Sequence, residues 1–192
     1  MFSKKIILLL FIIMALVQLF VPANMIISAE TIMKNGRPFK FRIAPVDPLD
    51  PFRGKYITLD FKDITAQVPD PEAWHNNEKV YVELTTDPNG YAVIRSVSKT
   101  KPSHSDFVTA KTGFIGSTKE KKIFVKYPFD RFYMEETKAS GAETIYREAA
   151  RDPAQVAYAL VYIHNGEAAL TDVLINEVSI QKIVEEFNRK HE

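Results

Sequence analysis

Two short blocks hold the residues best suited to chemistry. In the first, prolines fall at 45, 48 and 51, with Asp47, Asp50 and Arg53 among them. A period of three is the repeat of a polyproline II helix, at about 3.1 Å per residue. On that helix Asp47, Asp50 and Arg53 form one row, about 9 Å between members. Val46, Leu49 and Phe52 form a second row that can pack on a domain. The other block runs Asp130-Arg131-Phe132-Tyr133-Met134-Glu135-Glu136. If extended, it turns Arg131, Tyr133 and Glu135 to one face and Asp130, Phe132 and Met134 to the other. Carboxylates beside arginines suit two chemistries. They can serve a hydrolase as acid and base, with the arginines holding an anionic substrate. They can also form a recognition surface, of which Asp47, Asp50, Arg53, Tyr56, Asp130, Arg131, Tyr133, Glu135 and Glu136 are the candidate binding residues. Pairing Arg131 with Asp47 or Asp50, and Arg53 with Glu135 or Glu136, would make the two blocks one surface. The plainer alternative is that the aspartates accept backbone N–H groups in the turns Asp-Pro favours, and the arginines close ion pairs that fix loops.

Other site chemistries find little support. The chain has no cysteine, which removes thiol catalysis, Cys-zinc centres and disulfides. The four histidines, His75, His104, His164 and His191, are scattered and do not share a helix face, so no metal site is expected. Two Ser-x-x-Lys strings, Ser96 to Lys99 and Ser98 to Lys101, fall in a β pattern. Positions i and i+3 of a strand point to opposite faces, so neither can be a serine-lysine nucleophile. There is no glycine-rich phosphate loop, and no cofactor is expected. Charge is balanced at 25 basic against 24 acidic residues, which gives no footprint for nucleic acid. No catalytic residue is assigned.

The elements that position both blocks are mainly β. The runs 39–44 and 56–61 alternate. Residues 67–78 read as a polar loop holding the only tryptophan, Trp74. Residues 79–99 read as a hairpin turning at Asp87-Pro88-Asn89-Gly90, and 155–176 as another turning at Asn165-Gly166. Residues 106–116 and 121–129 read as a further strand pair joined by a polar turn. Ser140 and Glu143 fit a capping box, so a short helix should follow to about Ala150. The apolar positions 180, 183, 184 and 187 predict a terminal amphipathic helix. Several short strands at near-regular spacing give an α+β, mainly β, barrel or sandwich built of hairpins over residues 37–192.

Residues 1–36 are different. MFSKK carries two lysines, and an apolar run broken only by Gln18 follows from Ile6 to Val21. Extending it through Ile27 gives about the 20 residues a membrane-crossing helix needs. A cleaved signal peptide and a retained signal anchor are both consistent with this. The anchor is preferred, because the run continues past Pro22 and Ile27-Ser28-Ala29 is a poor cleavage site. With the lysines cytoplasmic, the segment crosses once and the domain faces the outside. Helical spacing continues to Gly36, a natural stop with Pro38 just beyond.

The run Ala44-Pro45-Val46-Asp47-Pro48-Leu49-Asp50-Pro51-Phe52-Arg53-Gly54 and the stretch Gly54-Lys55-Tyr56-Ile57-Thr58-Leu59-Asp60-Phe61 resemble the GDYXXLXY family, named for Gly-Asp-Tyr-x-x-Leu-x-Tyr. Lys55 stands where the family has Asp, so no mechanism resting on that carboxylate transfers. Phe61 replaces a Tyr and keeps the ring. The Asp130–Glu136 block is similar to an acidic-Arg-aromatic stretch ending in Glu that these proteins carry. The resemblance implies a bacterial membrane-anchored protein, often encoded near polytopic membrane proteins; from that neighbourhood and the anchor, the expected partner is an integral membrane protein. It implies no established activity.

Overall fold

The computed structural model of the protein describes residues 4–44, 56–103, 106–116, 120–135 and 155–191, with the single positions 145, 149 and 152. One helix, α1 (Lys4–Asn35), carries the whole N-terminal apolar run with Pro22 inside it. At a mean hydropathy of 2.9 it is long and apolar enough to cross a membrane, and the apolar window is unburied by protein. Its last turns behave differently. Ile32 is 6% exposed, and the Ser28 hydroxyl donates to Glu167 Oε2 at 3.2 Å. The Gly36 N–H closes the helix on the Ile32 carbonyl at 2.8 Å. A Cβ at Gly36 would collide with the Ile32 and Ile163 carbonyl oxygens, so glycine permits this close approach.

The chain then enters β1 (Arg37–Arg42), the edge of a four-stranded sheet ordered β1, β9 (Ala157–His164), β10 (Glu167–Ile175), β11 (Val178–Ser179). The central turn is the expected Asn-Gly: Asn165 has φ 51° and Gly166 φ 89°, the left-handed pair a tight two-residue hairpin turn requires. A bulge between Leu170 and Asp172 bends β10, and the Thr171 hydroxyl donates to the Leu160 carbonyl at 3.1 Å. The β10–β11 turn, Asn176-Glu177, also has both residues at positive φ. It leads into α2 (Ile180–His191), which buries Ile180 and Val184 completely. Burying each side chain of that size stabilises by about 1.5–3 kcal/mol.

A second sheet has the order β3 (Thr65–Gln67), β7 (Lys122–Lys126), β6 (Phe107–Ile115), β4 (Lys79–Thr86), β5 (Ala92–Ser98). All its pairings are antiparallel. The β4–β5 hairpin turns where Asn-Gly predicts. Gly90 takes φ 84°, and Asp87 Oδ1 accepts from the Asn89 and Tyr91 N–H groups at 3.0 and 2.9 Å. The sheet curls until its edge strands β3 and β5 touch, a near-barrel. Single bridges tie it to the first sheet: Lys40 to Tyr91, and Val108 to Gly166. The interior is one continuous apolar cluster. At its centre Phe41, Phe61, Tyr127 and Phe129 meet with centroids 4.9–5.8 Å apart, mostly edge to face.

Some expectations differ in detail. The 56–61 strand shortens to β2 (Tyr56–Thr58), after which Phe61 makes a single bridge to Ile43. The loop 67–78 holds a 3-10 turn at Pro71–Ala73. Its other end is held by Thr112, whose hydroxyl donates to the His75 carbonyl and accepts from the Glu78 N–H. Of the helix expected at 140–150, only Ile145 and Ala149 are described; both are helical, and Ala149 is buried in the core.

Candidate functional site

The second block forms a ribbon with Tyr56–Thr58, the stretch just downstream of the first block. β2 pairs antiparallel with β8 (Arg131–Tyr133), joining Tyr56 to Tyr133, Ile57 to Phe132 and Thr58 to Arg131. The reason is alternation. Ile57 and Phe132 are 2% and 4% exposed and drive one face into the core. The opposite face must then carry Tyr56, Thr58, Arg131 and Tyr133 outward. The Leu59 N–H extends the ribbon by donating to the Asp130 carbonyl at 2.8 Å. On the outer face the Tyr56 and Tyr133 rings lie 5.4 Å apart, and the Arg131 guanidinium sits 4.9 Å from the Tyr56 ring centre. Tyr133 remains 64% exposed. Its hydrogen bond to Arg131, then the charges of Tyr56 and Asp130, push the guanidinium above its ordinary value. The result is a permanently charged group laid on an aromatic pair.

The structure therefore brings together Tyr56, Asp130, Arg131 and Tyr133, with Glu135 two residues further along the chain. Arg131 and Tyr133 share the outer face, as alternation predicts. Asp47, Asp50, Arg53 and Glu136 lie outside the described residues, and with them the expected pairings of Arg131 with Asp47 or Asp50, and of Arg53 with Glu135 or Glu136. The last two named positions of the family motif are structural. Leu59 and Phe61 are buried, Phe61 within the four-ring cluster. The Ser-x-x-Lys strings are spent on other contacts. Ser96 donates to Glu83 at 2.8 Å, Lys99 meets Glu78 at 2.8 Å, and Ser98 accepts from the Thr100 N–H at 3.0 Å. No cluster of three histidine or acidic side chains is present among the described residues.

Sequence reasoning missed two polar clusters built on β1. Lys40 and Arg42 alternate with buried Phe39 and Phe41, which is the only signal the sequence offers. Arg42 grips Asp63 through Nε and Nη2 at 3.2 and 3.1 Å and reaches Asp87 through Nη1 at 3.2 Å. Lys40 meets Glu177 at 3.1 Å, and Glu177 accepts from the Tyr158 hydroxyl at 2.6 Å. That hydroxyl and then Lys40 hold the Glu177 carboxyl below its ordinary value, while Glu177 raises Lys40. In both clusters the charges satisfy one another, so they fasten strands and loops together. Their partners come from distant loops and turns, where no local pattern announces them.

Two larger grooves lie on the described surface. One, of about 830 Å³, sits beside the foot of α1 and is lined by Arg37, Arg95, Lys101 and Asp106. The other, of about 430 Å³, is lined by Lys79, Lys111, Lys126, Tyr127, Pro128 and Asp130. Neither pairs two carboxylates, the arrangement a hydrolase of the expected kind needs.

The family model described as GDYXXLXY protein matches residues 18–173. No curated protein and no solved structure matches the chain. The match takes in the second half of α1 and nearly all of the strands, well over half of the chain, and on that basis the chain belongs to the GDYXXLXY family.

Proposed function

We propose that the protein is a membrane-anchored domain on the outer side of the cytoplasmic membrane, acting as a binding or accessory subunit of an integral membrane protein. The observation that carries this is the β2–β8 ribbon. It sets Arg131 against two tyrosines on an exposed face. Arginine and tyrosine are the residues enriched at the energetic centres of protein interfaces. The anchor reading is supported by α1, an apolar helix that continues without a break through the poor cleavage site into a docked end. Its basic N-terminus, Lys4 and Lys5, favours a cytoplasmic start.

The test is crosslinked pull-down of the full-length protein from membranes. The wild type should recover a membrane protein partner. Arg131→Ala and Tyr133→Ala should lose it. Both side chains are exposed, so unfolding midpoints should move by no more than about 0.5 kcal/mol equivalents. Equal recovery by the variants, or a protein found outside the membrane fraction, would refute the reading.

A further inference from the structure

The 430 Å³ groove has an unusual wall. Lys79 on β4 stands directly opposite Lys111 on β6. Lys111 in turn stands directly opposite Lys126 on β7. Directly paired residues of an antiparallel ladder point to the same face, with Cβ atoms about 4.5–5.5 Å apart. Three lysines therefore form a row across three strands, all of them exposed. None has a carboxylate partner among the described residues. Like charges directly opposite each other destabilise a sheet. Ordinary sheets offset such charges by setting opposite signs across from each other. Here the repulsion is repeated on both sides of Lys111.

Beside the row the groove is lined by Asn77, Thr109, Pro128 and the rim of the otherwise buried Tyr127, and Asp130 is the one carboxylate among the lining residues. Its volume falls within the range of small-molecule sites. The row spans about 10 Å between its outer Cβ atoms. That length matches several anionic groups in series rather than a single one.

We propose that this groove binds a soluble anion bearing two or more phosphate groups in a row, with any apolar part of the ligand resting on Pro128. The site borders the β2–β8 surface, with which it shares Asp130, but the lysine row itself lies outside that surface. The bound phosphates replace lysine–lysine repulsion by charge-assisted hydrogen bonds.

The repulsion supplies a diagnostic. Replacing Lys111 by Thr, a good strand residue, removes both close juxtapositions and the middle of the row. In the absence of anion, full-length Lys111→Thr in neutral detergent should melt about 2–4 °C above the wild type. With inorganic triphosphate the wild type should gain stability, and its affinity measured by calorimetry should fall on the order of tenfold in the variant. Inorganic monophosphate should bind the wild type more weakly than triphosphate. Arg95→Gln, in the other basic groove, should leave triphosphate binding unchanged. The proposal is overturned if triphosphate binds the wild type and Lys111→Thr equally, or binds neither. It is also overturned if stabilisation appears only in bilayer discs carrying anionic lipid, which would make the ligand a membrane surface.

Discussion

At the scale of single residues, charged groups in this protein divide by whether they are satisfied. Arg42 has two carboxylates, and Glu177 has a lysine and a phenol. Glu177 also adopts φ 66°, a conformation costly for a side chain with a Cβ. Its contacts hold it there, and they make it a reporter of pH. A carboxyl whose folded value is lowered stabilises above its ordinary value of 4.5 and loses that contribution as pH falls through the lowered one. Lys40 is raised, so its share is present below 10.5 and is lost as pH climbs through the raised value. Wild-type stability should therefore sag below about pH 4.5 more than that of Glu177→Gln, when urea midpoints are compared from pH 3 to 7. Parallel curves for the two proteins would show that the Glu177 contacts contribute nothing. Lys79, Lys111 and Lys126 belong to the opposite class, cations set side by side.

At the scale of elements, what could be read from the sequence was what local pattern encodes. Asn-Gly placed both long hairpins, and alternation placed Arg131 and Tyr133 on one face of β8. The apolar spacing of 180, 183 and 184 placed α2. The short strands β3 and β11 escaped because two or three residues carry no period of their own. They exist as strands because β7 and β10 offer them an edge. The Asn176-Glu177 turn lacks a glycine, so its dipeptide gave no turn signal. The Asn165-Gly166 turn does more than reverse the chain. The Gly166 carbonyl accepts from the Thr109 N–H at 2.8 Å, tying the first sheet to β6. A Cβ there would strike the Phe107 ring and the Thr109 hydroxyl while the backbone stays at positive φ. Gly166→Ala should cost about 1–3 kcal/mol in denaturant unfolding. Gly90→Ala, with the same backbone sign but open space around it, should cost less. A reversed order would show that the sheet-to-sheet contact carries no weight.

At the scale of the whole molecule, α1 and the β domain are joined without slack. The packed junction is made of Ser28, Ile32 and Gly36 against the β9–β10 hairpin. The candidate site was only half legible at this scale. The sequence named both blocks, but that β2 and β8 would lie side by side depends on pairings between segments some seventy residues apart, which no local pattern records. If the junction is a cooperative unit, Ile32→Ala should open it locally. Protease cleavage between residues 27 and 37 should then quicken in bilayer discs, while the melting of the β domain hardly moves. Unchanged cleavage would mean that Ile32 does not hold the junction. A domain carried on a slack leash can present any side to a neighbour in the same bilayer. A domain fixed to a stiff mast cannot: if α1 is the membrane anchor proposed above, the β domain leans and turns only as the helix does. A search for a companion in the bilayer is then two-dimensional, and the side of the β domain that arrives first is set by the lean and spin of the mast.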